Sequence, residues 1–141
     1  MVLEELDSAL SRGAAPYALV DDSFSAFAHG KRVWKRLSCW LGEALAREPA
    51  EAQSRVPCSV SLAPSTEMEA GVRDVLGSFE SRLLPDDAWG LRPVFLSVSP
   101  VLQLAYLAAQ YGRGIMICGG PDGHLVGISL QRLPDGVCRI V

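Results

Sequence analysis

Cysteine, histidine and aspartate side chains at separate places in the sequence could together perform nucleophilic chemistry. Cys39 lies within the segment Ser38–Trp40, and His124 begins an apolar, alternating segment near the end of the chain. A thiolate is a strong nucleophile, and an imidazole within hydrogen-bond reach of the sulfur stabilises its ionised form. A carboxylate that orients the imidazole would complete such a site, and Asp122 and Asp135 are the candidates for that role.

The segments around these residues resemble those of papain-like cysteine hydrolases. In that family a Ser-Cys-Trp or similar segment opens a helix and a distant Gly-His opens a strand. Residues 38–40 and 123–127 carry the corresponding types here, and the resemblance covers no more of the chain than this. It implies a hydrolase or transferase in which Cys39 is the nucleophile, His124 is the base and Asp122 or Asp135 is the third member, with Asp135 placed first.

A second group of side chains could bind an acidic surface. Lys31, Arg32, Lys35 and Arg36 project from one face of a predicted helix, over about 140° of the helical wheel and opposite its apolar arc. Like charges this close repel one another unless a phosphate, an acidic partner or nearby carboxylates offset them. One interpretation is a solvated face that pairs with Glu43 and with the acidic surface of the protein. The other is a docking face, for a protein rather than nucleic acid, because no RNP-type, helix-turn-helix or zinc-finger pattern is present.

The composition limits the class of protein that carries these residues. The chain has 141 residues, of which 49% are hydrophobic and 21% are charged, and its net charge is −3. These values are typical of a single globular domain over residues 1–141. An acidic chain is not expected to bind nucleic acid over its whole surface. No apolar run reaches the ~18 residues of a membrane span, and no signal peptide is visible. We therefore expect a cytoplasmic protein that does not bind membranes.

Metal and phosphate motifs are not found in the sequence. None of the four cysteines belongs to a C-x-x-C pair, so the usual zinc or redox motif is lacking. The glycine-rich segment 119–123 matches neither G-x-x-x-x-G-K-[ST] nor G-x-G-x-x-G, and it reads as a turn. We expect no metal and no cofactor, and we expect Cys58, Cys118 and Cys138 to be small buried hydrophobic residues.

The hydrophobic periodicity predicts an α+β or α/β fold, in which helices pack on a single mixed sheet of about four or five strands. A strand, a helix and a strand over residues 94–118 predict a right-handed βαβ crossover. Turns at 119–123 and 133–136 would join the last three strands into a C-terminal meander. Helices are predicted over 2–11, from Phe24 to Phe27 after the cap Asp21-Asp22-Ser23, and over 31–47, 66–83 and 101–111; strands are predicted over 56–62, 94–98, 115–118, 124–130 and 137–141.

Two functions remain open. The first is a small interaction protein, such as an adaptor, a chaperone or an immunity-type inhibitor, which binds an acidic protein partner through the cations of residues 31–36. The strand over 137–141 is a second candidate surface, and a homodimer is a further candidate assembly. The alternative is the papain-like cysteine hydrolase or transferase. We place the interaction protein first, because the helical pattern puts Cys39 in mid-helix and no catalytic motif is complete.

Overall fold

The computed structural model describes residues 4–47, 55–85 and 99–133 of the chain. Its elements, in chain order, are α1 (Leu6–Ser11), β1 (Leu19–Phe27), α2 (Lys31–Ala46), β2 (Val56–Leu62), α3 (Thr66–Gly77), β3 (Leu83–Pro85), α4 (Ser99–Tyr111), β4 (Arg113–Gly119) and β5 (His124–Gln131). The strands form one mixed sheet in the order β1-β5-β4-β2-β3. β2 is parallel to both β3 and β4, whereas β5 is antiparallel to β4 and β1. The predicted α+β fold is confirmed.

Helices cover both faces of the sheet, and the alternation of side chains along each strand decides which helix they meet. Ile117 and Leu125 lie in the larger apolar core, together with the buried residues of α2 and α3. Met116 and Leu130 lie in a smaller core with Leu107 of α4. We call the first side of the sheet the α2 face and the second the α4 face. Consecutive residues of β5 therefore point alternately to the two faces.

The helix α2 owes its position to a broad apolar stripe. Gly30 precedes the helix with a φ of +73°, a conformation that glycine adopts without steric cost. Full burial of a leucine side chain contributes about 1.5–3 kcal/mol, and three leucines of this stripe are completely buried. The buried residues are Val33, Leu37, Trp40, Leu41, Ala44 and Leu45.

The segment before α2 is a strand, so the prediction of a helix over Phe24 and Phe27 is wrong. Two aromatic residues three positions apart fit one helical face, and this local spacing suggested the helix. In the structure β1 pairs along its length with β5, which comes from the far end of the chain. Phe24 lies in the core of the α2 face, whereas Phe27 is exposed on the α4 face opposite His124. The backbone pairing of β1 with β5, which is distant in sequence, therefore decides the conformation of this segment against its local helical spacing.

Most other elements follow the prediction, with one further correction. α3 ends at Gly77, and Leu83 belongs to β3 rather than to a helix over 66–83. The turn at 119–123 joins β4 to β5 as predicted. The predicted strands over 94–98 and 137–141, and with them the crossover and the third strand of the meander, lie outside the described residues. Of the helices that the structure describes, none has the length and hydropathy to cross a bilayer.

Candidate interaction groove

A groove of about 540 Å³ lies between α2 and β1. We call it the α2–β1 groove. Its walls combine aromatic and charged side chains, and of these the aromatic residues and arginine are types enriched in protein–protein interfaces. β1 contributes Phe24, and α2 contributes Arg32, Lys35, Arg36, Cys39, Trp40 and Glu43.

Two aromatic rings form the floor of the groove. The ring centroids of Phe24 and Trp40 are 6.0 Å apart with an interplanar angle of 37°, and both residues are 7% exposed. The six-membered ring of the indole lies against Gly127 of β5, where an added Cβ would be 2.6 Å from Cζ3. The absence of a side chain at position 127 therefore lets Trp40 approach the sheet. The Nε1 of Trp40 is buried and has no hydrogen-bond partner among the described residues.

The cations of α2 form no ion pair in the part of the chain that the structure describes. We call Lys31, Arg32, Lys35 and Arg36 the basic face; all four are exposed, and all but Lys31 line the groove. Within residues 4–47, 55–85 and 99–133, none of them has a carboxylate within 4.0 Å, and the ion pairs present there join other arginines to other carboxylates. Glu43 lines the groove but forms no such pair. The described residues therefore show no ion pair between Glu43 and the basic face, although Glu43 lines the same groove.

One of these cations contacts the aromatic floor. The guanidinium carbon of Arg36 lies 5.7 Å from the centroid of the Phe24 ring. A guanidinium over an aromatic face is attracted by the ring quadrupole, by about 0.5–1 kcal/mol at an exposed site. This contact orients Arg36 over the groove and leaves its N–H donors available to a ligand.

The sheet separates the two predicted catalytic side chains. Cys39 is exposed on α2, in the middle of the helix, and lines the α2–β1 groove. His124 lies on the α4 face, where its Nε2 is 2.8 Å from the Ser25 Oγ and its ring stacks on Phe27 at 5.1 Å. Because α2 covers the opposite face, the structure does not bring Cys39 and His124 together. Asp135 lies outside the described residues.

The neighbours of His124 form a smaller cavity of about 300 Å³. Asp122 also lines it, but its Oδ1 accepts a hydrogen bond from the backbone N–H of His124 at 3.1 Å, which stabilises the turn. Burial raises the pKa of the Cys118 thiol in the same cavity, and this disfavours the nucleophilic thiolate. The sequence pattern does not predict the contact between Ser25 and His124, because it favours a helix over residues that form β1.

The remaining cysteines behave as packing residues where the structure describes them. Cys58 is buried in the core of the α2 face, and burial raises its pKa to about 12, so the prediction of a buried hydrophobic residue is confirmed. Cys118 is half-buried, and Cys138 lies outside the described residues. Among the described residues, no group of three histidine, cysteine, aspartate or glutamate side chains is placed to hold a metal ion.

Comparisons with known proteins show a likeness of fold. No protein-family model matches the chain, and no curated protein matches it. It is similar to a chain in the solved complex AntDE:AntF (apo), a type II PKS acyl-carrier protein with its ketosynthase bound to the hexaketide. The TM-score is 0.60 and the sequence identity is 14% over 92% of this chain. The likeness spans 37% of that chain, and at this identity it describes the fold alone.

Proposed function

We propose that this protein is an interaction module that binds an acidic surface of a protein partner through the basic face and the α2–β1 groove. One observation carries the proposal: four cations within six residues of one helix have no carboxylate partner among the described residues. In the free protein these charges repel one another. Carboxylates of a partner would replace that repulsion with attraction.

The groove and its rim would contribute to binding in different ways. Exposed ion pairs contribute about 0.2–1 kcal/mol each, and their long-range field raises the association rate. Phe24 and Trp40 are each only 7% exposed, so the apolar surface removed from water on binding, at about 25 cal/mol per Å², would come mainly from the partner's side chain. We therefore expect the basic face to orient the partner and the floor to hold one of its apolar side chains.

The structural comparison suggests a first partner to try. The similar chain belongs to a complex of an acyl-carrier protein with its ketosynthase. A carrier protein is accordingly a reasonable first probe, beside other acidic proteins. The support for binding through the basic face comes from this chain's own residues and not from that complex.

Charge reversal in the groove tests the proposal. Binding of an acyl-carrier protein and of a panel of acidic proteins to the immobilised chain would be measured for Lys35→Glu/Arg36→Glu. The matched control is Arg55→Glu/Arg73→Glu, which makes the same change in net charge at exposed positions that do not line the groove. For at least one probe we expect the groove variant to bind about tenfold more weakly, equivalent to about 1.4 kcal/mol.

The control decides between a site and a general charge effect. The control variant should keep the affinity of the wild type within about a factor of two, since losses at independent surface positions are small. Equal losses in both variants would mean that net charge alone governs binding and would contradict the proposal. So would the failure of every acidic probe to bind the wild-type chain. Far-ultraviolet circular dichroism would verify that both variants are folded.

A further inference from the structure

The edge of the sheet lies beside the basic face. Among the described strands β1 is at one end of the sheet and pairs only with β5. An edge strand presents backbone N–H and C=O groups with which another strand can pair. Phe24 of β1 lines the same groove as the cations of α2. A strand added to β1 would therefore run along the mouth of the α2–β1 groove.

We propose that β1 and the basic face together bind an extended segment of the partner, which adds to the sheet beside β1 and carries an acidic side chain at every second residue. This inference rests on the proposed function and specifies the form of the acidic partner. Main-chain hydrogen bonds to an edge supply affinity in such complexes, and alternate side chains supply specificity.

The spacing of the cations fits alternate residues of a strand. Side chains on one face of a strand recur about every 6.6–6.8 Å. Arg32 and Arg36 are four residues apart on α2, and four residues of helix rise about 6.0 Å. Successive carboxylates on the α2 face of an added strand would therefore meet successive cations. Lys35, which also lines the groove, provides a third donor between them.

The other side chains of the added strand would lie on the α4 face. Ser23, Ser25 and Phe27 of β1 are exposed there, because they pair with Ile128, Val126 and His124 of β5. Phe27 is 66% exposed and supplies an apolar contact, and the two serines leave room for small or β-branched side chains beside it. We therefore expect the partner segment to alternate acidic residues with apolar or β-branched ones.

The edge also favours a particular stretch of β1. The register with β5 is irregular between Val20 and Asp22 and regular from Ser23 to Phe27. Asp21 and Asp22 lie at the irregular end, where Asp22 is ion-paired with Arg47 at 2.8 Å and the exposed carboxylate of Asp21 would repel an acidic segment. The regular part from Ser23 to Phe27 lies next to the cation-rich half of α2. We place the added strand there.

A second copy of this chain does not fit the same edge. Pairing of two β1 strands about a two-fold axis would place both α2 helices on the same face of the extended sheet. The basic faces, with four cations from each copy, would then approach each other across the axis. Like charges in that arrangement repel, whereas an acidic segment is attracted.

Synthetic peptides test the inference on the wild-type chain. The probe is a capped heptapeptide that alternates glutamate and valine, and the composition control places all glutamates first and all valines last. Two further versions carry N-methyl groups on one or the other set of alternate residues. Methylation of one set removes the N–H groups that would point to β1, whereas methylation of the other set leaves those N–H groups in place. Calorimetry would give the dissociation constants, and hydrogen exchange would report protection of the β1 amides.

Strand addition predicts a specific combination of results. The alternating peptide should bind at least about tenfold more tightly than the block peptide. Only one of the two N-methylated versions should lose binding, the amides of β1 should gain protection, and Lys35→Glu/Arg36→Glu should weaken binding. If both N-methylated peptides bind as tightly as the unmodified one and β1 gains no protection, strand addition is wrong.

The outcomes also separate this inference from the proposed function. A folded acidic protein that binds through Lys35 and Arg36, while neither peptide binds, would overturn strand addition and leave the proposed function standing. If the alternating peptide binds the wild type and Lys35→Glu/Arg36→Glu with equal affinity, the cations do not contribute to binding of its carboxylates, and the inference is wrong as stated.

Discussion

Gly127 lies in β5 directly beneath the indole of Trp40, and substitution by alanine should destabilise the protein. A Cβ at this position would be 2.6 Å from Cζ3 and 2.7 Å from Cη2 of Trp40, whereas carbon atoms in contact prefer about 3.5–4.0 Å. The strand cannot retreat, because Gly127 is paired on one side with Phe24 and on the other with Ile117. The indole must shift instead, against the packed floor of the groove.

The magnitude follows from two opposing effects. Overpacking a core costs about 1–3 kcal/mol, and replacing a glycine within a strand by alanine recovers about 0.5–1 kcal/mol of conformational entropy. We expect a net loss of about 1–2 kcal/mol in the free energy of unfolding, and a fall in Tm of about 3–8 °C. Urea denaturation and thermal melts would measure both. The control is Gly77→Ala, whose added Cβ meets no atom within 4 Å. The free energy of unfolding of this variant should equal or exceed that of the wild type.

A double-mutant cycle would show whether the contact with the indole is the cause. Trp40→Phe removes the atoms that a methyl group at position 127 would strike, so the cost of Gly127→Ala should fall by about 1 kcal/mol in that background. An equal cost of Gly127→Ala in both backgrounds, or a variant as stable as the wild type, would refute the reasoning. The m-value of urea unfolding should stay constant, since the effect lies in the native state.

The cysteines and one glycine provide three further predictions. Alkylation at pH 8 followed by mass spectrometry should modify exposed Cys39 in the folded protein and buried Cys58 only after unfolding. The substitution His124→Ala should leave the alkylation rate of Cys39 unchanged. A change in that rate beyond about threefold would contradict the separation of Cys39 and His124 by the sheet. Burial raises the pKa of Cys58 from 9.0 to about 12, so only the unfolded thiol ionises between these values. The free energy of unfolding should therefore fall above pH 9, by up to about 1.4 kcal/mol per pH unit, and Cys58→Ala should lessen that slope. Gly30→Ala should cost about 1–2 kcal/mol in urea denaturation, because φ is +73° there; no loss would exclude that conformation.

Elements with a strong local pattern could be predicted from the sequence. The apolar stripe of α2 repeats over four turns, and the alternation in β2 and β5 is regular, so each of these elements lies within a few residues of its predicted bounds. β1 could not be predicted in this way, because it is stabilised by pairing with β5, which lies far away in the sequence. The end of α3 differs from the prediction for a related reason. Leu83 fits the helical spacing of α3, but in the structure it pairs with Val56 as part of β3.

The cationic character of residues 31–36 was determined by the sequence alone. Side chains three and four residues apart share one face of a helix wherever that helix packs, so the basic face follows from local geometry. The groove required tertiary structure, because Phe24 lines it from β1, where the local sequence pattern favours a helix. The same holds for Cys39 and His124. Which face of the sheet a side chain reaches depends on strand register and on the side where α2 packs, and neither is encoded in the spacing of two residues far apart in the chain.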